Sequence, residues 1–264
     1  MKKAIVCSVV LLLSATVLVS PLFAQTAMQT AAEIVRSSRN RIESTTTSVR
    51  ARMVITAKNG STTERVVDEY SRDGPNGTRM VIQFQSPASV KGTRFLTMES
   101  ANDSTDQWIF LPSLGKVRRI AASEGSGSFM GTDMSYDDIS SASRDTDIDT
   151  HTLLREETLD GKACYVIESK PKDSSYQYSR MVSWIDKDTL INYRIDLFDK
   201  KGTLVKRMEM SDVRDIQGRL TPMQTKMSTI TAGTSTTIYN DIMKYDDPIP
   251  EGVFTTRYLE TGRY

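Results

Sequence analysis

The chain offers few groups with which to do covalent chemistry. His151 is its single histidine, so a Ser-His-Asp or Cys-His relay would have to pass through it. No GxSxG, HExxH, CxxC or glycine-rich phosphate-cradling pattern surrounds it or occurs elsewhere. His151 therefore reads as a surface histidine. Just before it, Asp145, Asp147 and Asp149 alternate, and Glu156 closes the run. Carboxylates at this spacing echo a calcium loop, but Thr150 stands where the sharp turn requires glycine, and no clear helix enters the segment. It reads as a solvated acidic loop, with calcium as the alternative. Cys164 lies in the apolar run KACYVIES and reads as a buried small hydrophobe, an intermolecular disulfide or reactive thiol being the alternative. Lys116, Arg118 and Arg119 form a basic cluster that suits an anionic head group or an acidic patch on a partner, or simply a solvated face.

The elements that would position these groups are mostly strands. Residues 25–45 have a helical period, with Ala27, Ala31, Ile34, Val35, Ser38 and Ile42 on one side and no glycine or proline. The period then changes to two. Val49, Ala51, Met53, Ile55 and Ala57 alternate with largely polar neighbours, and Asn59-Gly60 is a strong hairpin signal. Strand patterns recur over 64–72, 80–85, 93–99, 107–111, 116–121, 162–169, 177–186, 190–198, 203–215, 220–229 and 235–245. Turn residues such as Asp160-Gly161 and Lys201-Gly202 separate them. Short strands at this spacing indicate an antiparallel meander, hence a large curved sheet or barrel. Ile191, Tyr193, Ile195 and Leu197 line one side of their strand, opposite Asn192, Arg194 and Asp196. Methionines are frequent on the strands, among them Met208 and Met210; they either fill a core or make a pliable apolar surface for ligands of varied shape. Residues 123–150 interrupt the meander with a flexible Gly/Ser-rich run, followed by a candidate short helix from Tyr136.

The first 24 residues read as a cleaved secretory signal: Lys2 and Lys3, an apolar Ile5–Val19 core, then Pro21 and Ala24. Export leaves Cys164 as the only cysteine, so no internal disulfide is available. It also leaves 32 Lys+Arg (34 less Lys2 and Lys3) against 33 Asp+Glu, which does not suit nucleic acid. Residues 25–264 are compatible with one all-β domain.

The central stretch is the most specific part of the sequence. WIFLPSLGKVRR over Trp108–Arg119, then SFMGTDMSYD over Ser128–Asp137, resembles the signature of LolA-like outer membrane lipoprotein-sorting proteins, and the closing PEGVF over Pro250–Phe254 fits the same family. The resemblance implies a mainly β fold: an unclosed antiparallel β-barrel, concave and apolar inside, with an N-terminal helix and a helical and loop lid. It implies a periplasmic carrier, free or membrane-associated, without cofactor, catalytic residue or metal. Its partners would be acyl chains of lipoproteins or lipids, an inner-membrane transporter and an outer-membrane acceptor, with the carrier itself a monomer. On this reading Trp108, Phe110, Tyr193, Ile195, Leu197, Met208 and Met210 form the cavity wall. Phe129, Met130, Tyr136 and Ile139 form a movable apolar cover, and Lys116, Arg118 and Arg119 touch a partner or head group. The alternatives are a lipid-binding accessory of an envelope lipid exporter, a secreted lipid hydrolase, and a structural envelope β-protein with a filled core.

Overall fold

A computed structural model describes residues 29–74, 77–99, 105–140 and 146–264, so the signal segment lies outside the described residues. The first element is helix α1, Ala31–Arg39. Thr30 starts it with a capping box: its hydroxyl accepts from the Glu33 amide, and Glu33 accepts from the Thr30 backbone. The helix ends at Asn40, short of the 25–45 span the periodicity suggests.

Strands β1 (Thr46–Thr56), β2 (Thr62–Arg72), β3 (Arg79–Ser86), β4 (Arg94–Glu99), β5 (Thr105–Leu111) and β6 (Lys116–Arg119) follow as an antiparallel meander. A second meander runs through β7 (Asp149–Leu159), β8 (Lys162–Pro171), β9 (Arg180–Asp186), β10 (Asn192–Phe198), β11 (Leu204–Ile216), β12 (Arg219–Thr229) and β13 (Thr234–Tyr245). Pairing of β1 with β13 joins the two into one 13-stranded sheet, with β6 at one edge and β7 at the other. The sheet is curved and unclosed, as expected.

This order has a strong consequence. β6 and β7 are consecutive in the chain but lie at opposite edges of the sheet. The segment between them must therefore join the two edges. Its described part packs on one face of the sheet and carries a short helix, α2, at Tyr136–Ser140. Strand alternation sorts the side chains. Val49, Ala51 and Met53 of β1, Val67 of β2 and Ile82 and Phe84 of β3 face the crossing segment. Val81, Leu96 and Phe110 face the other way, toward Ile249, Val253 and Phe254 and the C-terminal helix α3, Thr256–Thr261. Helix α1 covers the crossing-segment side of β8 and β9, with Ile34 and Val35 against Ile167 and Ile185.

One strand stands where the sequence suggests an acidic loop. Residues 149–159 pair with β8 from Asp149–Pro171 to Leu159–Lys162. An edge strand has one neighbour and an exposed rim, so it tolerates Arg155, Glu156 and Glu157 where an inner strand would need apolar residues. Asp147 accepts from Arg36 of α1 at 2.8 Å, and Asp149 is buried. Asp145 lies outside the described residues, and among those described no cluster of metal-ligating side chains occurs.

Candidate functional site

The crossing segment lines the concave face like a plug. Phe129 is fully buried. Its ring meets Phe95 edge-on at 5.0 Å, Tyr136 at 5.6 Å and Phe84 at 5.9 Å. It is therefore packed into the sheet rather than displayed on a mobile tip. Met130 follows at φ 52, half-buried against the same cluster, and its carbonyl accepts from Arg65. Tyr136 packs beside Phe129, and Ile139 reaches both this cluster and a second one. That second cluster joins Met134 to Tyr178, Leu197 and Met227, with Ile195 and Met208 packed on it. The plug thus contacts both halves of the sheet.

The Gly/Ser run is compact, not slack. The amides of Phe129, Tyr136 and Asp137 donate to the carbonyls of Met134, Gly127 and Gly125 at 2.8, 3.1 and 2.9 Å. A Cβ on Gly127 would lie 2.9 Å from the Glu124 carbonyl oxygen, a backbone atom. Glycine allows that close approach, so the run's composition reflects crowding as well as freedom.

Two buried carboxylates bolt the plug down. Asp133 accepts from the hydroxyls of Thr229, Thr234 and Thr236 at 2.7, 2.5 and 2.8 Å, while its amide donates to Thr236 Oγ1. These threonines come from the β12–β13 hairpin. Asp138 accepts from the Ser135 amide and Tyr178 hydroxyl at 2.8 Å and pairs with Lys206 of β11 at 2.7 Å. Burial, then the neighbouring Asp138 charge, pushes the Tyr178 phenol well above its usual range. Charge-assisted bonds of this kind are the stronger class, so the plug is held by polar bolts and an aromatic wedge together.

The expected wall residues divide. Ile195, Leu197 and Met208 lie on the concave side with the plug, and Met210 continues the row of Met208 on β11, half-buried opposite Thr225. Trp108 and Phe110 do not. They pack with the C-terminal segment on the opposite face, while Ile109 between them faces Phe129. β5 is covered on both faces, so its apolar residues carry no label of side. Tyr193 is the extra residue of a bulge between Asn192 and Arg194, and its ring lies 4.7 Å from the Lys162 ammonium, off the Ile195–Leu197 row.

In the basic trio, Arg118 pairs with Glu124 at 3.0 Å and Arg119 with Asp106, while Lys116 is exposed. Exposed pairs of this kind contribute little stability; they and Lys116 guard the sheet edge. His151 is half-buried, with Nδ1 2.8 Å from Ser169 Oγ and Nε2 2.9 Å from the Thr146 carbonyl. The carbonyl makes Nε2 the protonated nitrogen, and Ser169 is its buried cross-strand partner, so the pair joins β7 to β8. Cys164 is a buried free thiol, and burial raises its pKa.

A residue not singled out in the sequence also faces the concavity. Glu69 of β2 sits between Val49 and Ile82 on the same face as Val67. Protein surrounds it, yet part of its surface remains accessible, as for a group on the floor of a concavity. Burial alone pushes its carboxyl up to about 7. It has no hydrogen-bond donor and no cation among the described residues. The alternation Arg65, Val67, Glu69, Ser71 marks it as an inward carboxylate once the strand's face is known.

Comparison with known proteins accords with this geometry. A family model described as an uncharacterized protein matches residues 76–261. The chain is similar to a DUF1329 family protein from Desulfovibrio piger ATCC 29098, with 31% identity over 87% of this chain and 97% of that one and a TM-score of 0.82. A proposed outer membrane lipoprotein-sorting protein domain from Vibrio parahaemolyticus shares 24% identity over 87% and 98% of the two chains, with a TM-score of 0.82. A LolA superfamily protein from Nitrosomonas europaea shares 22% identity over 88% and 100%, with a TM-score of 0.71. These last two share the fold. No curated protein matches the chain.

Proposed function

The chain belongs to the DUF1329 family, and from that footing we propose that it is a non-enzymatic envelope carrier of acyl-bearing cargo, lipoprotein or lipid. In this reading residues 1–24 direct export to the periplasm, and 25–264 act as one carrier domain between an inner-membrane donor and an outer-membrane acceptor. One observation carries the proposal. The segment that joins the two sheet edges lays its own Phe129 and Met134 on the concave face, where a carrier would hold them as a surrogate for an apolar ligand and a structural β-protein would hold them as plain core; the extraction below separates the two.

The energetics suit exchange between membranes. Each buried methylene contributes about 0.8 kcal/mol, so a 14-carbon chain leaving water gains roughly 10 kcal/mol. A carrier that kept all of this would not release its cargo. A plug that must be lifted off Phe84 and Phe95 subtracts its own burial energy from the cargo's. Ile195, Met208 and Met210 would then become the wall against which the chain lies, and methionine adapts to varied shapes.

The test is native mass spectrometry of the mature protein isolated gently from its own envelope fraction, followed by organic extraction. A triacylated protein adduct supports lipoprotein sorting. A free phospholipid moves the reading to an accessory of a lipid exporter. A protein that carries nothing and takes up no acyl probe refutes the carrier reading and leaves the fold without this function.

A further inference from the structure

Glu69 has no hydrogen-bond or ion-pair partner for its side chain among the described residues. A carboxylate on an apolar face is normally satisfied by a cation or several donors, because desolvating an unpaired charge is costly. Asp133 and Asp138, on the same side of the sheet, are satisfied in that way. Glu69 has Val49 and Ile82 as cross-strand partners, and Val67 and Ser71 as neighbours on its own strand and face. Next along β3 are Met80 and Phe84, and Met243 of β13 lies beyond Val49.

The charged and titratable groups on this face are already committed. Arg65 of β2 donates to the Met130 carbonyl. Glu99 of β4 accepts from the Thr78 amide at 2.7 Å. The Tyr245 hydroxyl of β13 bonds Thr221 at 2.9 Å, and Arg118 of β6 pairs with Glu124. On the plug, Asp138 pairs with Lys206, and Tyr136 lies against Phe95. Nothing among them compensates Glu69, and burial alone accounts for its raised pKa.

We propose that Glu69 is a cargo-contacting residue, and that its carboxyl takes up a proton from solvent when an acyl chain is laid against the β1–β3 floor of the concavity. This rests on the carrier reading and deepens it. Laying an acyl chain over Glu69 removes the water that its accessible surface still meets. The neutral acid tolerates this and the carboxylate does not, so binding favours the protonated form. By linkage, ionisation then weakens the hold on cargo. The device makes uptake favourable at slightly acid pH and release favourable above neutrality.

The experiment compares the mature protein with Glu69→Gln, an isostere of the protonated acid. The probe is a pyrene-labelled long-chain alcohol, which has no ionisable group, titrated at pH 6 and pH 8. If the chain raises the Glu69 pKa by one unit from about 7, the wild-type Kd rises about fivefold over this interval, while the Gln variant stays flat. Parallel profiles for the two proteins overturn the proton coupling and leave the carrier reading intact. Absence of binding by either protein overturns both. Wild-type carbon NMR of the glutamate side-chain carboxyls gives a readout independent of the variant's folding. A midpoint near 7 that moves upward with probe is expected, and one that stays in the ordinary carboxylate range, or does not move, overturns the inference.

Discussion

Replacing Phe129 by alanine should open the plug without unfolding the sheet. The ring is fully buried and meets three other aromatic rings between 5.0 and 5.9 Å. Truncating such a residue costs about 3–5 kcal/mol. If the plug lifts as a unit, the whole cost falls on its opening equilibrium. At about 1.4 kcal/mol per power of ten, the open fraction rises by roughly two to three and a half powers of ten. Native-state hydrogen exchange reads this directly. The amides of Phe129, Tyr136 and Asp137, all bonded within the plug, should lose protection by that factor. The paired amides of β11 and β12 should not. A ligand that binds only the open form should bind more tightly in proportion, until the open form dominates. Equal loss of protection in the plug and in β11–β12 would refute the reasoning, because Phe129 would then be ordinary core. Selective opening with unchanged acyl-probe affinity would refute the claim that plug and cargo compete.

Three further outcomes are expected. Asp133→Asn leaves three threonine hydroxyls facing an amide in place of a carboxylate, and should raise plug opening by about 2–3 kcal/mol, read by exchange over residues 128–136. Glu69 binds its proton more tightly when folded, with a pKa of about 7 against about 4.3 unfolded, so the stability it contributes is full below the unfolded value and lost as pH rises toward 7. Glu69→Gln should therefore be more stable than wild type in urea at pH 8, by at most about 4 kcal/mol, with the gain largely gone at pH 5. Phe110→Ala should lower unfolding stability by about 3 kcal/mol through the C-terminal packing, with acyl-probe affinity unchanged; a weakened affinity would return Phe110 to the cavity wall.

Much of this architecture is legible in the sequence because strand alternation and turn chemistry are local. Val49, Ala51 and Met53 announce one buried face, and Asn59-Gly60 closes its hairpin with Gly60 at φ 83. The interruption after β6 is equally visible by its length. What fails is information that depends on neighbours in space. β7 has polar residues on both sides because it has a partner on only one edge, and that resembles a loop. Trp108 and Phe110 are apolar beside apolar Ile109, so alternation cannot say which row meets the plug. The bulge at Tyr193 shifts a residue off a row that a strict period of two keeps in line. Glycines 125 and 127 resemble a slack linker in composition, while Gly127 is set by the close approach of the Glu124 carbonyl as the run folds on itself. Glu69 looks like an ordinary polar residue in a strand until its inward direction is known.

The free edges at β6 and β7 set how the sheet can answer a ligand. A closed barrel has a girth fixed by its strand number and stagger, and widening it requires breaking a ladder. Here the first and last strands are unpaired with each other, so the concavity can dilate by uncurling slightly while every interstrand hydrogen bond is kept. The segment that joins the two edges is tied to the β12–β13 hairpin through Asp133 and to the β1–β5 half through Phe129. Its ties therefore staple the middle of the sheet across the β1–β13 junction, and lifting the segment would leave that junction free to bend with a cargo.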